Sequence, residues 1–141
     1  MDKKIVFVPY PLLNYAEEKD SETAREVIKL LLDHEIGLIQ MPSVENDRRT
    51  LKRVSKETIS LLKKSMKENY KVLGILGIEF SPIYGVNKVK ADRRTVFGKG
   101  VFVEELEREM QNEGLQVPIV SVNLGNVFST LKKLTLFLKN S

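Results

Sequence analysis

Two glutamates are the side chains best placed to do chemistry, because each follows a predicted β-strand. Glu45 comes shortly after an apolar run that stops at Pro42, and Glu79 directly follows 71–78, a run that is apolar on both alternating faces. Carboxylates at one edge of a parallel sheet can share a proton or bind a cation. Glu45 and Glu79 are therefore the candidate catalytic pair of a metal-independent hydrolase or lyase. The alternative is structural: Glu45 caps the next helix, and Glu79 bonds backbone amides of the following loop.

A second candidate is the turn at 98–100, which enters a predicted helix. Free amides of Gly100 and the positive end of the helix could hold an anion beside the Lys99 ammonium. The turn lacks the complete phosphate-binding pattern of nucleotide-binding loops, so a plain tight turn is the competing interpretation.

Thiol and histidine chemistry are excluded or disfavoured by composition. The chain has no Cys, so disulfides, Cys nucleophiles and Cys-ligated metals are ruled out. Its only histidine, His34, lies at the end of a predicted helix, where contact with terminal carbonyls explains it. We therefore expect no Ser–His–Asp triad, no metal and no cofactor.

Alternating strands and helices must position these groups. The patterns predict strands at 4–8, 38–41, 71–78 and 117–122. They predict helices from Asp20 or Ser21 to His34, with Gly37 in a left-handed turn near the end, and at 51–68, 101–113, and from Asn123 or Asn126 to Leu138. Residues 79–98 show neither period and are predicted to form a long loop, which is a common location for function.

This order of elements predicts a single three-layer α/β domain over residues 1–141. Its sheet is expected to be mainly parallel and four-stranded, Rossmann-like or flavodoxin-like. Ligands of such sheets bind outside the carboxyl ends of the strands. The apolar stripe of the last helix is interpreted as core packing or a dimer surface, which leaves a homodimer open. The stripe consists of Val127, Phe128, Leu131, Leu134 and Leu138.

Composition and charge narrow the class of protein. The 141 residues are 42% hydrophobic and 30% charged, which is typical of a globular chain. No apolar run is long enough for a signal sequence or membrane span, so we expect a cytoplasmic protein. A chain without Cys or Trp and rich in Lys, Glu and Arg is also typical of thermophiles.

The net charge of +4 is concentrated in two stretches, at 48–53 and 88–94. Such stretches can bind phosphates of nucleic acid or an acidic protein; the alternative is an ordinary solvated surface. Their cations are Arg48, Arg49, Arg53, Lys88, Lys90, Arg93 and Arg94.

Three segments, Leu30–Pro42, Gly77–Val86 and Gly98–Leu106, carry a family resemblance. In this order and context the chain resembles the thiouracil desulfidase family. The resemblance implies an α/β fold in which three thiolates hold a four-iron four-sulfur cluster that takes sulfur from a thiocarbonyl substrate. The three cluster positions here are Pro11, Ser43 and Tyr84, so the resemblance implies a member that has lost the cluster.

Other motif positions of the family are retained, which implies that a polar pocket persists. Tyr10 adjoins one former cysteine position and Tyr84 occupies another, and these rings either fill the vacated space or stack on a planar base. The candidate ligand-binding residues are Tyr10, Asn14, Ser43, Ser81, Tyr84, Gly85, Lys99 and Gly100.

The leading functional prediction is binding of a small planar or anionic metabolite, such as a nucleobase or nucleotide, at the carboxyl edge of the sheet. The alternatives are a basic surface for nucleic acid or a protein, and the carboxylate hydrolase or lyase. The sequence leaves open whether the protein is an enzyme.

Overall fold

The computed structural model describes residues 3–14 and 21–141, and Ser21 by its backbone alone. In chain order the strands are β1 Lys4–Val8, β2 Gly37–Gln40, β3 Lys71–Ile78, β4 Lys88–Ala91, β5 Arg94–Phe97 and β6 Ile119–Val122. The helices are α1 Tyr10–Leu13, α2 Ser21–Asp33, α3 Arg48–Lys67, α4 Val101–Asn112 and α5 Val127–Lys139.

Four strands form one parallel sheet in the order β2-β1-β3-β6. The chain winds outward from β1 in both directions, which is the strand order of a flavodoxin-like sheet. Helices α2 and α5 pack together on one face, and α3 and α4 pack together on the other. The prediction of a three-layer α/β fold with a four-stranded, mainly parallel sheet is confirmed.

The central strands lie in the sheet because both of their faces are apolar. Residues 5–8 of β1 and 73–78 of β3 are buried. Two glycines of β3 let neighbours approach closely: a Cβ at Gly74 would lie 3.0 Å from the Phe137 ring, and one at Gly77 would lie 2.7 Å from the Tyr84 carbonyl oxygen. Since successive residues of a strand face opposite sides, these contacts identify the faces covered by α5 and by the segment 81–86.

The prediction that 79–98 is a loop was wrong in part, because β4 and β5 form an antiparallel hairpin there. Buried and exposed side chains do not alternate along β5, because all of its residues are exposed, and the sequence therefore shows no strand pattern. A two-residue turn joins its strands, and Asp92 takes the left-handed conformation with φ of 57°. The Phe80 backbone pairs with Lys88 and Lys90, which attaches the hairpin to the end of β3.

Helix ends follow local hydrogen bonding more than residue type. After helix α2 the chain turns at Glu35, which takes the left-handed conformation with φ of 58°. The amides of Glu35 and Ile36 donate to the carbonyl oxygens of Leu32 and Leu31. The prediction that Gly37 makes this turn was wrong, because Gly37 is the first residue of β2. The predicted cap Asp20 lies outside the described residues. His34 Nδ1 lies 2.9 Å from the Leu30 carbonyl oxygen, as predicted.

The last helix begins at the predicted cap Asn126, whose side chain accepts from the Ser129 amide. Its apolar stripe differs from expectation at one position. Phe128 was predicted to be in the core but is 81% exposed, and Phe137 packs against the core instead. In the described part of the chain, no helix combines the length and apolar character needed to cross a membrane.

Candidate functional site

Tyr84 lies where the resemblance would have a cluster ligand, and it is a core residue that is 5% exposed. Its ring meets Phe102 edge-to-face at a centroid distance of 5.8 Å. Burial raises the pKa of the Tyr84 hydroxyl to about 12, although the Val44 backbone amide opposes the rise. This geometry favours space filling over stacking on a ligand.

The segment around Tyr84 is held by its own backbone. Ser81 Oγ accepts hydrogen bonds from the amides of Ile83 and Tyr84, at 3.2 and 3.0 Å. Gly85 is packed so closely that a Cβ would lie 2.6 Å from the Lys88 carbonyl oxygen. Ser81 and Gly85 therefore shape the turn that buries Tyr84.

The amides at the start of α4 are occupied by this same segment. Gly100, Val101 and Phe102 donate to the carbonyl oxygens of Gly85, Pro82 and Ile83. The Lys99 ammonium forms an ion pair with Glu107. The geometry therefore favours the tight-turn interpretation of 98–100 over anion binding.

Glu79 is engaged in the hydrogen bonding that its structural interpretation predicts. Its Oε1 accepts from the Asn87 and Lys88 amides at 2.9 and 2.7 Å, and its Oε2 accepts from the Asn87 side chain at 3.2 Å. Partial burial raises the pKa of Glu79, but these hydrogen bonds and one from Ser121 lower the pKa more, to below its ordinary value of 4.5. An ionised, saturated carboxylate of this kind organises the base of the hairpin and is a poor proton donor.

Glu45 does not cap α3, because Asp47 is the N-cap residue and accepts from the Thr50 amide at 2.9 Å. Glu45 and Ser43 are exposed. Asn14 ends α1, with its Nδ2 donating to the Tyr10 carbonyl and to Gln40 Oε1. Ser43 and Glu45 follow the end of β2, as predicted, and the hydrogen bond to Gln40 brings Asn14 to the same strand end.

The three cluster positions do not fit an iron–sulfur cluster. Pro11 has no ligand atom, the Ser43 hydroxyl is a poor substitute for a thiolate, and the Tyr84 ring is packed into the core. These three side chains therefore do not supply the ligands that such a cluster requires.

The sequence reasoning missed a polar cleft at the carboxyl ends of β3 and β6. Lys133 Nζ donates to Ser121 Oγ there, and Ser121 in turn lies against Glu79. The cleft has a volume of 260 Å³ and is also lined by Lys88, Asn123, Ser129 and Thr130. Lys133 was not predicted as a site residue because it lies on the last helix, outside every segment that the sequence analysis identified as a motif.

The hairpin presents an exposed aromatic ring among cations. The register pairs Lys88 with Phe97 and Lys90 with Thr95, so these four side chains share one face, which we call the hairpin face. Phe97 is 87% exposed, and Lys88 Nζ lies 5.5 Å from its ring centroid. The opposite face carries Val89, which packs toward Gly85.

Both predicted basic stretches lie at the carboxyl edge of the sheet. The first opens α3, which follows β2, and the second forms the hairpin, which follows β3. One small cavity is lined by both Arg48 and Val101, so the start of α3 adjoins the start of α4, just beyond the hairpin. Arg53 pairs with Glu57 at 3.4 Å, whereas the other six predicted cations form no ion pair with any described residue.

Comparisons with known proteins do not assign the chain to a family or a function. No family model, no curated protein and no solved structure matches the chain. The resemblance to the desulfidase family therefore stays a prediction that rests on the residues quoted above.

Proposed function

We propose that the protein binds single-stranded nucleic acid through the hairpin face and the adjoining start of α3. The observation that carries the proposal is the Phe97 ring, almost fully exposed and set beside Lys88 and Lys90. Bases of any sequence stack on such rings, while neighbouring cations contact the phosphates.

Electrostatics support the same proposal. The hairpin carries four cations against the single acid Asp92, and the first six residues of α3 carry four cations and no acid. The remainder of the chain is net acidic, since the total is only +4. Positive charge is thus concentrated on two elements that start at one edge, which favours attraction of a polyanion.

The test is binding of a labelled oligothymidine, its RNA counterpart and a duplex, followed by fluorescence anisotropy across a salt series. Phe97→Ala should weaken single-strand binding by about 1–3 kcal/mol, the value of one stacked base, and leave the salt dependence unchanged. Lys90→Gln should weaken binding and reduce the slope of log K against log salt by about 0.7.

Phe128→Ala is the matched control, because Phe128 is similarly exposed but lies on α5. It should bind like the wild type. Equal losses in Phe97→Ala and Phe128→Ala, or no binding by the wild type at low salt, would refute the proposal. Preference for the duplex would instead point to insertion of the hairpin into a groove.

A small anionic ligand is the second candidate, and the polar cleft is the observation that favours it. Lys88 and Lys133 both line the cleft, with the hydroxyl groups of Ser121, Ser129 and Thr130. A thermal-shift screen against nucleotides tests this candidate, since a ligand of the native state raises apparent stability. Lys133→Gln should abolish a shift that arises in the cleft, and Lys139→Gln should preserve it.

A further inference from the structure

The free side of β6 is an unpaired sheet edge. Among the described strands, β6 pairs only with β3. The carbonyl oxygens of Pro118 and Val122 accept from Ile75 and Glu79 of β3 or its end. Because backbone groups alternate in direction along a strand, Ile119 and Ser121 direct theirs toward the free side.

A groove runs along this edge. It has a volume of 560 Å³ and lies between residues 119–121 of β6 and the side of α5 from Ser129 to Asn140. That part of α5 is about 16 Å long at the helical rise, which equals the length of a strand of about five residues. Its apolar lining comes from Val86, Ile119, Leu136 and Phe137. An extended segment matches this shape and can use the free backbone groups.

Two lysines give the groove its charge. Lys132 and Lys133 line it from α5, and none of the acidic residues that the structure describes does. Ser121 pairs with Gly77, whose face is covered by Val86, whereas α5 covers the face of Gly74. To reach Ser121 Oγ, the Lys133 side chain therefore crosses the open edge of β6.

We propose that the free edge of β6 binds an extended acidic segment of a partner protein by strand addition. The Lys133 ammonium leaves Ser121 Oγ for an acidic side chain of the partner, which opens the edge, and a second acidic side chain pairs with Lys132. The partner backbone then pairs with Ile119 and Ser121, and its apolar side chains enter the groove. A second copy of β6 is the wrong occupant, because self-pairing would bring the two Lys133 ammonium groups together.

The test uses three labelled probe peptides: one alternates glutamate with valine, one alternates lysine with valine, and the third is the glutamate peptide N-methylated at alternate amides. The glutamate peptide should bind, and the N-methylated peptide should not, because methylation removes strand hydrogen bonds while preserving charge. Equal binding of both would refute strand addition.

Variants of the protein test the residues. Ile119→Pro removes a free-edge amide at a position where proline is tolerated, and it should abolish peptide binding while leaving oligothymidine binding unchanged. The double variant Lys132→Glu, Lys133→Glu should bind the glutamate peptide at least about tenfold more weakly than the wild type does, and it should bind the lysine peptide. The matched control is Lys139→Glu on the same helix, which should behave as wild type.

Two results would overturn the proposal. One is unchanged peptide affinity in both Ile119→Pro and the charge-reversed protein. The other is a wild-type dimer, seen by sedimentation, that Ile119→Pro dissociates, which would make a second copy the occupant. Circular dichroism of each variant verifies folding, and the charge-reversed protein keeps the test decisive if Ile119→Pro unfolds.

Discussion

At the residue scale, Gly100 links the segment 81–86 to α4. A Cβ at this position would lie 2.4 Å from the Ile83 carbonyl group and 2.7 Å from the Gly85 nitrogen. Both neighbours are backbone atoms, so they cannot move aside as a flexible side chain would. The glycine that suggested anion binding in the sequence is required here for close packing.

We predict that Gly100→Ala lowers the free energy of unfolding by about 1–3 kcal/mol, the usual cost of overpacking. Urea unfolding at neutral pH measures it. Gly125→Ala is the control, since its Cβ would meet only Asn123 Oδ1 at 3.5 Å, and it should change stability by less than about 0.5 kcal/mol. Equal stability of the two variants would contradict the packing argument.

Glu79 supplies a pH-dependent stability. Its folded pKa lies below its ordinary value of 4.5, so its contribution is present above pH 4.5 and is lost as the pH falls through the folded pKa. Glu79→Gln should therefore destabilise the protein at pH 7 by about 1–3 kcal/mol, as loss of hydrogen bonds to a charged group does.

Urea unfolding of both proteins from pH 7 to pH 3 tests this prediction. The difference in unfolding free energy between wild type and Glu79→Gln should shrink below pH 4.5. A constant difference across this range would show that the Glu79 charge has no role in stability. The matched variant Glu45→Gln, at an exposed position, should follow the wild type throughout.

At the element scale, α5 depends on a side-chain cap. Asn126 Oδ1 accepts from the Ser129 amide at 3.0 Å, which satisfies one of the four unpaired amides at the start of the helix. Asn126→Ala should cost about 1 kcal/mol in thermal or urea unfolding, and Asn126→Ser should recover most of it. Similar losses in both variants would mean that the cap hydrogen bond is unimportant.

The hairpin shows how far element prediction from sequence could go. Helices α3 and α4 were predicted from apolar residues at helical spacing, and their buried faces agree with that pattern. The hairpin was not predicted because the side chains of β5 are exposed, so its sequence lacks the alternation of apolar and polar residues that indicates a strand. Its strand-forming residues Val89, Thr95 and Val96 were the available signal.

The sequence predicted where the residues of the candidate site lie, but not what their polar atoms contact. Glu79, Ser81 and Gly85 were correctly located at the end of a strand, but a motif position does not reveal whether a polar atom faces a ligand or the protein's own backbone. The structure pairs these groups with neighbouring amides. Lys133 was missed because its contact with Ser121 joins a helix to a strand, and Phe97 was missed because the hairpin that places it beside Lys88 was predicted to be a loop.

At the scale of the whole molecule, the two basic elements should act on one strand of nucleic acid. Arg49→Gln and Lys90→Gln should each weaken oligothymidine binding and reduce the salt slope by about 0.7, and the double variant should lose about twice as much slope. Anisotropy titrations over a salt series measure the slopes. If Arg49→Gln leaves the slope unchanged, α3 lies outside the interface and the hairpin binds alone.

The sequence by itself determined the alternation of strands and helices, because apolar periodicity records which faces are buried. It also excluded thiol chemistry and located two concentrations of positive charge. Tertiary structure alone decided the strand order β2-β1-β3-β6, the closeness of α3 to the start of α4, and the crossing of β6 by Lys133. These features depend on how separate elements pack, and local sequence carries no record of which element becomes a neighbour.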